Sequence, residues 1–256
     1  MEVHAHSHPS TLRQTQDSGH RKKWTHYFWE FLMLFLAVFC GFLAENQREH
    51  MVEHHRAKEY MQLMLDDLKL DTAEFNRDTI KINKYFKPVL KKSGVLLYSE
   101  NFSDSTIKEM YDTVPKAIRF FPIIIQESAT TQLKNSGNLR LIRNKAVTNS
   151  LTKYWNSCNY LLNIHVAGYE ATRINTKELI SSLFNFNYFE NASEPSPLRK
   201  NISLKLLSDD KVQFIKLGNY ISNLYNQSGV IFRRLKEINQ KATDLIALIQ
   251  KEYHLE

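Results

Sequence analysis

One stretch of the chain is apolar all round, and almost everything after it alternates on a helical period. Trp24 to Ala44 reads WTHYFWEFLMLFLAVFCGFLA, and from Phe31 onward it holds no charged or strongly polar residue. Beyond it, Glu45 to Phe86 contains neither Gly nor Pro. Met61, Leu65, Leu68, Phe75, Ile82 and Phe86 recur there on three- and four-residue steps, with Thr72 and Thr79 filling the gaps. That spacing lays one stripe along a helix. Pro88, which lacks an N–H and clashes with the preceding turn, is expected to end it or nearly so, leaving residues 93–105 as a loop.

Shorter elements follow. Ser103-Asp104-Ser105 offers a cap for a helix running to Phe120. Pro122 interrupts it, and Phe121 to Ile125 is an apolar patch expected in the core. A further short helix covers Gln126 to Lys134 and stops at Ser136-Gly137-Asn138, where Gly137 supplies a left-handed residue. Asn144 can cap a long helix from Lys145 to about Leu183, with Leu151, Trp155, Cys158, Leu162, His165, Tyr169, Leu179 and Leu183 on its stripe. Residues 185–207 are irregular, with Pro195, Pro197 and the aromatic group Phe184, Phe186, Tyr188 and Phe189. The last helix, Asp209 to about Tyr253, carries an unbroken 3-4-3-4 seam: Phe214, Leu217, Ile221, Leu224, Ser228, Ile231, Leu235, Ile238, Ala242, Leu245 and Ile249. Such a seam packs helix against helix. Three helices of similar length predict an all-α fold, an N-terminal transmembrane helix continuing into an elongated antiparallel bundle.

The apolar segment is 21 residues long. At about 1.5 Å per residue it spans a hydrocarbon core of roughly 30 Å. Trp24, Tyr27, Phe28 and Trp29 suit the interfacial belt, and Phe31, Leu36, Phe39 and Leu43 suit the lipid-facing body. Glu30 either reaches the headgroups or faces a partner helix. Phe42-Leu43-Ala44 lacks the small first residue of a cleavage site, which favours an uncleaved anchor. Arg21, Lys22 and Lys23 abut the anchor directly, whereas the other flank opens with Glu45. The positive-inside rule therefore places the N-terminus in the cytoplasm. The expected organisation is a disordered cytoplasmic tail (1–23), a transmembrane helix (24–44) and a helical domain (45–256) facing the periplasm from the inner membrane.

Composition narrows the function classes. Seven Gly and six Pro are too few for a many-turned β-sandwich or barrel. The net charge of +7 is dispersed, with no basic and aromatic stripe, so no nucleic-acid partner is expected. Two cysteines, Cys40 in the apolar segment and Cys158, give no disulfide framework.

Four clusters bear on chemistry. His4, His6 and His8 form an H-x-H-x-H run in a tail too polar to fold alone. His50-Met-Val-Glu53-His54 fits the inverted zinc-protease pattern, in which two histidines one helical turn apart bind metal and the glutamate acts as base. The same residues, with Glu45, Arg48, Glu49 and Arg56, also read as a solvated helix surface with i,i+4 pairs, and a histidine cluster there suits a regulatory or pH-sensing role. Cys158 and His165 lie two turns apart, too far for a nucleophile–base pair, and read as core. Arg140 and Arg143 beside Asn144 would suit an anion near a helix start. No phosphate-binding glycine loop, G-x-S-x-G or paired-cysteine motif occurs. No catalytic residue, metal or cofactor is expected; Arg48, His50, His54, Arg140 and Arg143 are the candidate interaction residues.

Two segments, Lys22 to Tyr60 (KKWTHYFWEFLMLFLAVFCGFLAENQREHMVEHHRAKEY) and Gln132 to Trp155 (QLKNSGNLRLIRNKAVTNSLTKYW), together resemble uncharacterised bacterial single-pass membrane proteins that carry a helical domain of unknown function. The resemblance implies an anchored helical protein and no particular activity. The expected function is a membrane-anchored, non-enzymatic interaction or sensing module, with the lipid bilayer and a protein or a second copy as partners. The alternatives are a self-associating envelope scaffold and, more remotely, a zinc hydrolase built on His50, Glu53 and His54.

Overall fold

A computed structural model of the chain describes residues 24–119, 122–189 and 203–256. The fold is all-α, with no strand among the described residues. The histidine run, Pro195 and Pro197 lie outside them. The chain divides into two compact units, Met1–Glu53 and His54–Glu256.

In the first unit the described residues belong to helix α1 (Trp24–Ile80). Its apolar stretch has a mean hydropathy of 2.0 over 18 residues, none of them buried. It is long and apolar enough to cross a membrane. Phe31, Phe35 and Phe39 stack along one face, with ring centroids 6.3 and 5.9 Å apart. Glu30 pairs one turn back with His26 at 3.1 Å.

The second unit is a helical bundle. After α1 come α2 (Lys87–Leu97), α3 (Asp104–Ala117), α4 (Ser128–Asn135), α5 (Lys145–Tyr160), α6 (Ala167–Leu183) and α7 (Lys211–Tyr253). The expected end at Pro88 is not observed. The chain stays helical to Leu97 through a π-helical turn, Lys81–Phe86. There Lys87 N–H donates to the Ile82 carbonyl, five residues back. Pro88 directly follows this wide turn, in the first turn of α2, where its missing N–H does not end the helix. Ser93 and Gly94, expected to open a loop, are buried in α2 instead. Gly94 lies where a Cβ would stand 3.9 Å from Ser222 of α7.

Cross-helix contacts fix the topology. Tyr98 bonds Asn219, Asn76 bonds Asn239, and Lys69 bonds the Glu256 carbonyl. So α7 runs antiparallel to α1 and α2. Asn144 bonds Glu252, Ser157 bonds Lys241, and Thr172 bonds Gln227, so α7 is antiparallel to α5 and α6 as well. These two long rods are therefore parallel to each other. The return between them is made by α3, the connector after it, α4 and a 3-10 turn (Asn138–Leu141). The short helices thus form one of four layers running up, down, up and down.

Every seam residue expected on α7 is buried. On α5 and α6 the stripe drifts. A second π-turn, Leu161–Val166, lets Ala167 N–H reach the Leu162 carbonyl. Around it Leu161 and Ile180 are buried where Leu162 and Leu179 were expected, while Tyr169 and Leu183 are buried as expected. On α1, Thr72 and Thr79 sit at the margin, and the buried positions beside them are Asp71 and Asp78.

Candidate functional site

The candidate interaction residues do not converge as a set, but two of them do. His54 and Arg143, 89 positions apart, both line a recess of about 240 Å³ in the second unit. Ala57, Leu141, Asn144, Glu252 and Tyr253 complete it. Three segments meet there: the middle of α1 at His54 and Ala57, the connector before α5, and the last turn of α7. Asn144 is the hinge of this arrangement. Its Oδ1 accepts from Ala146 N–H at 2.9 Å and Val147 N–H at 3.2 Å, capping α5. Its Nδ2 donates to Glu252 at 2.6 Å, which places a carboxylate at the recess wall. Tyr253, half-buried there, has its phenol pushed above the usual range by burial and then by the Glu252 charge. The lining therefore offers a guanidinium, an imidazole, a carboxylate and an aromatic ring, which suits a partner group carrying both polar and apolar surface.

Substituting Asn144 by Ala removes the cap and the bond to Glu252 together. The expected loss is about 1 kcal/mol, or roughly 2–4 °C in Tm for a domain of this size. Asn144→Asp should recover the cap while setting two carboxylates against each other, so its deficit should shrink as salt is added. Thermal denaturation of the three proteins at two salt concentrations checks both statements.

The other candidates sit elsewhere. Arg48 and His50 belong to the first unit, where Arg48 Nε donates to Glu45 at 2.9 Å. Arg140 is exposed on the 3-10 turn and does not line the recess. His55 pairs with Glu59 at 3.2 Å along the helix surface. Among the described residues no three His, Cys, Asp or Glu side chains gather around a metal-sized point. Glu53 is half-buried and belongs to the first unit with His50, whereas His54 opens the second.

Family models, curated proteins and solved structures give no match to this chain. The residues alone must carry the functional reading.

Sequence reasoning missed a second polar cluster, at the centre of the second unit. Asp67 and Asp71, one turn apart on α1, are 6% and 1% exposed. Asp67 Oδ2 accepts from Ala129 N–H and Asp71 Oδ1 from Gln126 N–H, both at 2.8 Å. The other Asp71 oxygen accepts from the Tyr154 hydroxyl of α5. Burial outweighs these bonds and lifts the Asp71 carboxyl to about 6. It also lifts the Cys158 thiol, one turn beyond Tyr154, to about 12, so this cysteine is inert as a nucleophile at neutral pH. A signal existed: stepping from Leu68 by three, four, three and four reaches Asp71, Phe75, Asp78 and Ile82. The strict period lands on the acids, although acids are seldom buried.

Proposed function

We propose that this chain is a membrane-anchored, non-enzymatic interaction or sensing module, and that the recess around His54, Arg143 and Glu252 is where its partner docks. In this reading Trp24–Ala44 crosses a bacterial inner membrane once, residues 1–23 face the cytoplasm, and the helical bundle stands in the periplasm. The observation that carries it is the recess itself, where three distant segments converge on a mixed set of charged and aromatic side chains. An exposed apolar helix ahead of the bundle supports the anchor.

The test is crosslinking in native membranes followed by capture of the full-length protein. Arg143→Glu is expected to weaken recovery of a specific partner by about 10-fold or more, as charge reversal at an interface does. Arg140→Glu, on the neighbouring turn, should leave recovery unchanged. Equal recovery from both variants would remove the recess from the proposal. A reporter fused after Glu256 that is active in the cytosol would remove the orientation.

A further inference from the structure

The descending layer that follows α3 lies along α1 like a strap. From its start toward α5, Gln126 meets Asp71, Ala129 meets Asp67, and Asn138 Nδ2 donates to the Tyr60 hydroxyl at 2.6 Å. Tyr60, Asp67 and Asp71 share one face of α1, at spacings of seven and four. Glu127, at the position before α4, makes no side-chain cap. Asp67 supplies the cap from another helix, so the start of α4 depends on α1. The upper end of the strap is doubly held, because Asp71 binds both the strap amide and α5 through Tyr154.

The bonded partners of the two carboxyls, an amide for each and one phenol, are all neutral. The titratable groups that act on Asp71 are Asp67 on its own helix and Tyr154 on α5; Glu127 on the strap and Lys241 on α7 act on Cys158, one turn beyond Tyr154. The cation Lys241 bonds Ser157 at 2.7 Å and acts on Cys158 rather than on either carboxyl.

We propose that Asp71 is a proton-controlled clasp: in its neutral form it holds residues 122–129 against α1 and α5, and in its ionised form it releases them. Neutral, the carboxyl donates its own proton to the Tyr154 oxygen and keeps its carbonyl oxygen for Gln126 N–H, while the phenol proton turns toward Cys158. Ionised, it is a buried charge beside Asp67, and opening of the strap lets water reach it. The sign follows from linkage. A carboxyl whose pKa lies higher in the closed state than in the open one favours closure fully below the open-state value of about 4. That contribution is lost as pH rises through about 6. The clasp goes beyond the docking proposal and does not depend on what the recess binds, although the strap ends at recess residues Leu141, Arg143 and Asn144.

Hydrogen exchange of the full-length protein in detergent micelles, from pH 4 to 8, tests it. After correction for the intrinsic rate, protection of amides 126–135 should fall as pH rises, by a factor of up to about 100, and level off above pH 6 to 7. Amides of α7 should show no such fall. Asp71→Asn, neutral at every pH, should give a flat profile for the strap. Tyr154→Phe removes a phenol bond that is stronger to the ionised carboxylate than to the neutral acid, so it should move the midpoint to higher pH, and this variant keeps the test alive if Asp71→Asn does not fold. Strap protection independent of pH in the natural chain overturns the clasp. So does an unshifted midpoint in Tyr154→Phe.

Discussion

Replacing Leu224 by Asp is expected to unfold the bundle, whereas the same substitution at Ile215, nine residues earlier on the same helix, should shift Tm by no more than about 2 °C. Leu224 is fully buried in the α7 seam, and Ile215 is 47% exposed. The new carboxylate at position 224 would lie among aliphatic groups of the core. Burying an unpaired charge there, added to the lost leucine contacts, costs upwards of about 4 kcal/mol. That is a large share of the roughly 5–15 kcal/mol by which domains are stable. At position 215 the carboxylate meets water, and exposed substitutions stay within about 0.5 kcal/mol. Far-ultraviolet circular dichroism and thermal denaturation of the two variants make the comparison. A cooperative transition for Leu224→Asp near that of the natural chain would show that α7 is not central to the core.

Tyr111→Ala should produce the second large loss, about 4 kcal/mol, with Tyr111→Phe losing about 1–2 kcal/mol. The ring of Tyr111, on α3, lies edge-on to Phe184, Tyr188 and Phe189, with centroids 5.2, 5.8 and 5.6 Å away. Its hydroxyl donates to the Lys205 carbonyl at 2.8 Å and accepts from Asn185 N–H at 3.1 Å. One side chain thereby ties both ends of the α6–α7 linker to α3. Alanine leaves a cavity among aromatic rings and two unmet backbone groups; phenylalanine leaves only the latter. Urea denaturation midpoints with unchanged slopes would separate the two contributions. Equal losses for the two variants would mean that the ring packing contributes little.

These two substitutions mark the limits of what the pattern of residues conveys. The α7 seam was legible to the last position because one unbroken α-helix keeps a constant period from Phe214 to Ile249. The aromatic group at 184–189 was visible as a composition, but Tyr111 was not, because it joins from another helix across 73 residues of chain. The α5–α6 stripe was read correctly at Leu151, Trp155, Cys158, Tyr169 and Leu183 and missed by one residue at Leu162 and Leu179, since a π-turn changes the period without any glycine or proline to announce it. The end of α1 was misplaced for a related reason: Pro88 breaks an α-helix, but not one already widened ahead of it. The recess was half legible. Arg143 and Asn144 declared themselves as a basic residue beside a cap, and His54 as part of a histidine run. Their meeting with Glu252 depends on the up-down-up-down order, which local spacing does not encode. Asp71 went unread because Thr72, next to it in the chain, was placed on the stripe instead.

The two widened turns have an evolutionary consequence. Each holds one residue more than the regular spiral around it, so each is a place where the chain can lose a residue, or have gained one, without re-registering the rods on either side. Deletions at Asn83 or Asn163 would merely tighten the local coil, whereas the same deletion inside the α7 seam would turn half of a core face toward solvent. Length variation among descendants of this chain should therefore collect at these two points and spare the 43-residue helix.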